Sequence, residues 1–305
     1  MIRIAVIGPG AISRRFMEGM RDINDAMTSA FVSRHPENVR GYAAQYSVPR
    51  IMTLTDFLRE KPADAVYIST PNSTHEALIS ACLSAGLHVL CEKPAVLTAE
   101  SWMNLLSKAW ERKLVLMEAQ KALYLPVYQT IRGWLKENRI GTVSSARAGF
   151  CRNDHHSVDA WRMSGPGSGA LYDVGCYPLS VLIGLFHPDH SETEREILSE
   201  QNGVPLSGTV TMKKEGLKLT AEYSMVQDGF CSLEVYGTEG TISCPQFWKA
   251  RTCTLSAERE EVFSSSFRSE FTFEIQTFID RIQKGIIQNQ ESEEISIRVL
   301  EILSG

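Results

Sequence analysis

The sequence predicts two domains in series. Residues 1–120 read as a doubly wound α/β domain on a parallel sheet, and 121–305 as an α+β domain with a large, mostly antiparallel, open-faced sheet. Three observations lead there. Short β-rich apolar runs alternate with helical patterns in the first third of the chain. Long strands joined by tight turns follow beyond Pro126. A length of 305 residues with 43% hydrophobic content is enough for two separate cores.

In the first part, Ile2–Ile7, Ser29–Val32, Ala65–Ser69, His88–Cys91 and Leu114–Glu118 read as strands, with helical stretches between them. The boundary is expected near residues 119–126. Past it, a helix over Val127–Asn138 leads through Gly141 into a strand over Thr142–Phe150. Further strands are expected at Gly208–Lys213, Lys218–Met225, Phe230–Tyr236 and Thr241–Cys244, the last two joined by the turn Gly237-Thr238-Glu239-Gly240. In Phe271–Lys284 the apolar residues Phe271, Ile275, Phe278, Ile279 and Ile282 recur at helical spacing, which predicts an amphipathic helix.

Composition narrows the function classes. With 31 basic against 36 acidic side chains and a net charge of −5, nothing draws the chain to a polyanion, so no nucleic-acid partner is expected. No membrane partner is expected either: the most apolar stretch, Ala170–Phe186, carries Asp173 and Pro178 and is short for a span. Met1 runs straight into the apolar Ile2–Ile7, leaving no room for a secretory leader. Seven cysteines (Cys82, Cys91, Cys151, Cys176, Cys231, Cys244 and Cys253) form no C-x-x-C pair, and an odd number of them fits reduced thiols in a cytoplasm. Outside a secretory route, the acceptor tripeptide Asn72-Ser73-Thr74 has no consequence.

Gly8-Pro9-Gly10-Ala11-Ile12-Ser13 follows the first strand and opens a helix. It matches the G-x-G-x-x-G/A fingerprint of a Rossmann dinucleotide site except at its last position. Gly8 permits the tight turn, Gly10 lets backbone approach a pyrophosphate, and the helix start at Ala11 and Ile12 offers N–H donors. An ordinary glycine-rich turn has the same local look; the strand before it and the helix after it favour phosphate. Sites for NAD carry an acid at the end of the second strand, where this chain has Ser33-Arg34. An Arg34 guanidinium and a Ser33 hydroxyl suit a 2′-phosphate, so NADP is expected over NAD. A charge-assisted hydrogen bond nets about 1.5–3 kcal/mol, or a preference of about ten- to a hundredfold. A solvated Arg34 at the surface is the plainer alternative.

Further motifs appear in order. Ser69-Thr70-Pro71-Asn72-Ser73-Thr74-His75 follows the third predicted strand and Cys91-Glu92-Lys93-Pro94 the fourth. Then come Glu118-Ala119-Gln120-Lys121, the segment Gly169–Pro178 and Tyr236–Thr241. Together with the glycine turn and the Phe271–Lys284 helix, these resemble the Gfo/Idh/MocA family, named for glucose-fructose oxidoreductase, inositol dehydrogenase and a rhizopine catabolism protein. The resemblance covers nearly the whole chain.

The resemblance implies an enzyme that moves a hydride between a nicotinamide and a secondary alcohol or carbonyl of a sugar, polyol or related small molecule. It puts Lys93 beside the nicotinamide and the reacting oxygen as proton donor or acceptor, and Thr70, Pro71, Asn72, His75, Glu92 and Lys93 around the cofactor. The family's second-domain pair falls on Asp173 and Tyr177, and a spacing of four sets both on one face of a helix that begins or kinks at Pro178. Tyr177 as a packed aromatic is the alternative. Tyrosine there resembles the dihydrodiol and aldose dehydrogenase branch, although Ser180 stands where relatives often carry Asp, Asn or Gln, and Gly167-Ser168-Gly169 replaces a run of three glycines.

Lys121, Trp161 and Arg162 are candidate substrate contacts. A metal at Asp154, His155, His156, Asp159, His187 and His190 lacks helix-face spacing, and none is expected. The open sheet predicts a homodimer or homotetramer joined through the second domain. Two other readings stay open: a hydrolase of glycosides that uses nicotinamide transiently, and a regulator that senses dinucleotide without catalysis.

Overall fold

Strands at the centre of a parallel sheet are covered on both faces and need apolar side chains on both. Ile4, Ala5 and Val6 meet that condition, each 0% exposed. The computed structural model describes residues 1–153, 162–188 and 190–305. These make two units, Met1–Ala119 with Arg268–Glu293, and Gln120–Phe267 with Glu294–Gly305.

The first unit is built on six parallel strands: β1 (Ile2–Ile7), β2 (Ala26–Val32), β3 (Ile51–Met52), β4 (Ala65–Ile68), β5 (His88–Glu92) and β6 (Leu116–Ala119). Their order in the sheet is β3-β2-β1-β4-β5-β6. Ile7 pairs with both Val32 and Ile68, and Ile68 with Cys91, so β1, β2, β4 and β5 all end at one edge. The order reverses between β1 and β4. In open α/β sheets that reversal, outside the carboxyl ends of the strands, is where ligands bind. β3 is only two residues long, too short to leave a periodic signal in the sequence.

The helix Thr272–Lys284 belongs to this unit and not to the second domain in which the sequence reading had set it. Four residues of its expected apolar stripe, Phe271, Ile275, Phe278 and Ile279, are at most 1% exposed, while Ile282 at the end of the helix is partly exposed. The stripe packs on the helix Ala11–Met20 at Gly19, where an added Cβ would lie 2.9 Å from Ile275 Cδ1 and 3.1 Å from Phe271 Cβ. The absent side chain is what allows the two helices to approach so closely.

The second unit carries an eight-stranded sheet of β7 (Val143–Cys151), β8 (Glu192–Gln201), β9 (Val204–Lys214), β10 (Leu217–Ser224), β11 (Ser232–Gly237), β12 (Thr241–Pro245), β13 (Thr252–Ser256) and β14 (Glu260–Ser264). Their order is β14-β13-β12-β11-β7-β10-β9-β8, antiparallel except where β10 runs parallel to β7. β8, β13 and β14 are not among the strands expected from the sequence. β8, at one edge, is exposed along nearly its whole length and rich in Glu, a composition that hides a strand from hydrophobic patterning while discouraging edge-to-edge pairing. The helix Cys176–Phe186 covers one face of the sheet over β7 and β10, burying Ala146, Ala148, Leu219 and Ala221.

Substituting Gly19→Val tests the close packing of Thr272–Lys284. Overpacking of this kind costs about 1–3 kcal/mol. A lowered denaturation midpoint is expected, and an unchanged midpoint would show that the two helices do not meet there.

Candidate functional site

The first unit presents the glycine turn at the sheet edge just described. Gly8 has φ +82°, and its N–H donates to Val32 O at 3.0 Å. An added Cβ there would sit 2.5 Å from Thr70 Cγ2, so both the backbone angle and the neighbouring loop require glycine. Gly10 differs. Its backbone is extended (φ −127°, ψ −154°), and a Cβ would find only Gly8 O, at 3.8 Å. Nothing in the protein itself requires glycine at that position, so the space beside it is open to a ligand.

Gly10 caps the helix Ala11–Met20 with no side-chain cap and no acid in the first turn, leaving the first N–H groups of Ala11 and Ile12 to attract an anion. Ser13, the departure from the fingerprint, is fully buried. Its hydroxyl donates to Gly10 O at 2.8 Å and lies 3.1 Å from the Tyr42 hydroxyl. At the end of β2, Ser33 N–H donates to Met52 O, and Ser33 Oγ accepts from His35 N–H at 3.1 Å. Arg34 is exposed and, among the described residues, has no hydrogen-bond or ion-pair partner.

The segment Glu92-Lys93-Pro94-Ala95 leaves β5 at the same edge and is held at three points. Glu92 Oε1 accepts from the Tyr67 hydroxyl at 2.6 Å, and Glu118 Oε1 accepts from Ala95 N–H at 2.8 Å. The third point is His75, whose Nδ1 lies 3.0 Å from Pro94 O and Nε2 2.8 Å from Thr70 O. His75 is fully buried, and burial pushes its imidazole below the ordinary histidine pKa. The neutral ring, with one N–H, donates to one of these two carbonyls and sits packed between the Thr70-Pro71-Asn72 loop and the segment carrying Lys93. Thr70 and Thr74 hydroxyls lie 2.7 Å apart in that loop, Asn72 is buried, and Lys93 itself is half-buried.

The second unit assembles a different group. A π-helical turn over Leu171–Gly175 carries Asp173 and runs into the helix Cys176–Phe186, which carries Tyr177. Pro178 lies in the first turn of that helix, where a missing N–H is tolerated, and the wider π turn before it absorbs the change in pitch. Asp173 Oδ2 forms an ion pair with Arg162 Nε at 3.3 Å. Lys121, 6% exposed, donates from Nζ to the Tyr177 hydroxyl at 2.7 Å. The Tyr177 ring stacks on Phe150 with centroids 5.6 Å apart, and Phe150 lies against Trp248 at 4.0 Å.

Sequence reasoning missed Phe150 and Trp248, because only the fold brings β7 and the Phe247–Lys249 turn to the same tyrosine. Ser180, the suspected specificity position, is fully buried and donates to Tyr177 O at 3.0 Å, which spends its hydroxyl within its own helix. Trp161 lies outside the described residues, as do Asp154, His155, His156 and Asp159. Among the described residues, no three His, Cys, Asp or Glu are grouped to hold a metal, and no helix is long and apolar enough to cross a membrane.

Comparisons with known proteins agree with this architecture. Over 96% of its length the chain is 28% identical to the scyllo-inositol 2-dehydrogenase (NADP(+)) IolU of Bacillus subtilis, covering 92% of that protein. With the trans-1,2-dihydrobenzene-1,2-diol dehydrogenase of Xenopus laevis it shares 26% identity over 87% of this chain and 82% of the other. The fold superposes with TM-score 0.88 on a 3-ketoreductase from Actinomadura kijaniata, at 24% identity over 99% of this chain and 95% of that one. A family model described as an oxidoreductase family with an NAD-binding Rossmann fold matches residues 2–120. The corresponding C-terminal domain model matches 128–243, and the chain thus belongs to the Gfo/Idh/MocA family of oxidoreductases.

Proposed function

We propose that this protein is an NADP-preferring dehydrogenase or reductase that interconverts a secondary alcohol and a carbonyl on a sugar, polyol or related small molecule. One observation carries the reading: Lys93 leaves β5 at the sheet edge that also bears the Gly8-Pro9-Gly10 turn, beside the reversal of strand order. The open space at Gly10 and the uncapped helix start suit a pyrophosphate. Arg34, exposed and without a partner among the described residues, suits a 2′-phosphate. The NADP-dependent inositol dehydrogenase at 28% identity supports both the cofactor and the polyol class.

A nicotinamide held at that edge would supply or take the hydride. The chain's own part is to handle the proton on the reacting oxygen. Lys93, on a segment pinned by Tyr67, Glu118 and His75, would donate that proton in reduction and take it back in oxidation. Tyr177 would hydrogen-bond to a substrate oxygen, and Asp173, held by Arg162, would orient a substrate hydroxyl. Thr70, Pro71, Asn72 and Glu92 would shape the cofactor's surroundings, with His75 acting through the loops it joins.

The proposal includes a homodimer or homotetramer in the cytoplasm. The sheet face opposite the helix Cys176–Phe186 carries Arg147, Thr220, Glu222, Glu234 and Tyr236, all at least partly exposed, and this is the face such an assembly would cover.

Lys93→Met tests the proton role. Turnover is expected to fall by about 10²- to 10⁴-fold while NADP still binds, and near-full activity would remove Lys93 from the chemistry. Arg34→Ala tests the cofactor assignment by titration: NADP should weaken about ten- to a hundredfold with NAD little changed, and equal weakening of both would reject a 2′-phosphate contact. Gly10→Ala should leave the denaturation midpoint where it was and weaken both dinucleotides. If binding is retained in full, the pyrophosphate does not sit against that backbone.

A further inference from the structure

We propose that Lys121 is a positioning residue: by donating to the Tyr177 hydroxyl oxygen it turns the phenol's hydrogen away from itself and toward the substrate oxygen. This rests on the oxidoreductase reading above and adds to it a division of labour within the second unit.

The argument begins with donor chemistry. An ammonium group has three N–H donors and no lone pair, so at 2.7 Å from the Tyr177 hydroxyl it must be the donor and the phenol oxygen the acceptor. The hydroxyl's single hydrogen then has to be given to some other acceptor. A tyrosine whose oxygen was unengaged could offer either a lone pair or its hydrogen to an incoming ligand. Here the cation occupies a lone pair, which directs the hydroxyl hydrogen away from Lys121. Hydrogen bonds in series polarise one another, so a chain from ammonium to phenol to substrate oxygen strengthens in one direction.

Burial makes the arrangement deliberate. Lys121 is 6% exposed and Tyr177 7% exposed. Withdrawing an ammonium from water is expensive, and so is immobilising a long flexible side chain; a mere space-filler would have been an apolar residue. The tyrosine cannot swing aside to escape the contact. Its ring stacks on Phe150, that ring lies on Trp248, and the Lys121 ammonium sits 4.5 Å from the Tyr177 ring centroid. The ammonium also restricts rotation of the O–H bond. Lys121 opens the short turn Lys121–Tyr124, whose next two residues, Ala122 and Leu123, are buried, so its backbone is anchored as well.

In this arrangement Lys121 transfers no proton and touches no substrate. Its effect should appear in turnover and not in binding, and it should depend wholly on the tyrosine hydroxyl.

The test is a double-mutant cycle with Lys121→Met, Lys121→Arg, Tyr177→Phe and Lys121→Met/Tyr177→Phe, read with NADP and a panel of polyols and the corresponding ketones. Lys121→Met, which keeps volume and loses charge, should lower kcat by about 10²-fold with KM and NADP affinity little changed. Lys121→Arg should recover a substantial part. Lys121→Met/Tyr177→Phe should be no slower than Tyr177→Phe alone.

Full activity in Lys121→Met, or losses that multiply in the double variant, would overturn the proposal. Denaturation midpoints of the same four proteins, measured without substrate, distinguish the ways it can fail. If the unaltered protein is active and the midpoint effects of the two positions simply add, the pairing itself is wrong. If no polyol or ketone is turned over at all, the oxidoreductase reading fails, and the positioning role falls with it even where the midpoints show coupling.

Discussion

The parallel register of β1, β4 and β5 is the constraint on which the cofactor half of this protein depends. Parallel pairing makes strands end together, and Ile7, Ile68 and Cys91 lie side by side across the sheet. The three loops that follow therefore emerge at one edge: the glycine turn, the Thr70-Pro71-Asn72 loop and the segment bearing Lys93. An antiparallel sheet would send alternate loops to opposite edges. Because β1 and β4 also mark the reversal of strand order, the helices after them turn to opposite faces and leave the edge between them open.

Around that edge the chain buries polar groups that would be destabilising without partners. Glu92 and Glu118 are 7% and 5% exposed, and His75 is fully enclosed, yet each has a named hydrogen-bond partner. Their common effect is to fix the backbone from Glu92 to Ala95. Under the role proposed for Lys93, such rigidity would hold its amine in place, since small displacements of a reacting group are costly in rate. The stacking of Phe16 on Tyr67, centroids 3.9 Å apart, extends the bracing into the apolar core.

The second unit handles charge by pairing. Arg162 meets Asp173, and Lys121 meets the Tyr177 hydroxyl, so cations and hydrogen-bonding groups lie together on and around a single helical segment. The π turn ahead of Cys176 serves this arrangement: it absorbs Pro178 and carries Asp173 into the helix that holds Tyr177.

Local chemistry made much of this legible before any tertiary structure. Ile2–Ile7, the Gly8–Ser13 turn and the apolar stripe of Phe271–Lys284 all announce themselves within a window of about a dozen residues, because strand and helix periods and glycine angles are short-range properties. The motif order from Gly8 to Tyr177 was enough to name the family. What sequence could not supply was the identity of each partner. Lys121 and Tyr177 are 56 positions apart, and the charged edge strand Glu192–Gln201 has no apolar period to betray it. The Thr272–Lys284 helix declares its apolar face but not the surface that face will cover, which is decided by a missing side chain at Gly19. Local sequence determined most of the elements and the residue types at the site; only packing decided which side chains meet, since a pairing across the chain depends on every turn between its two members.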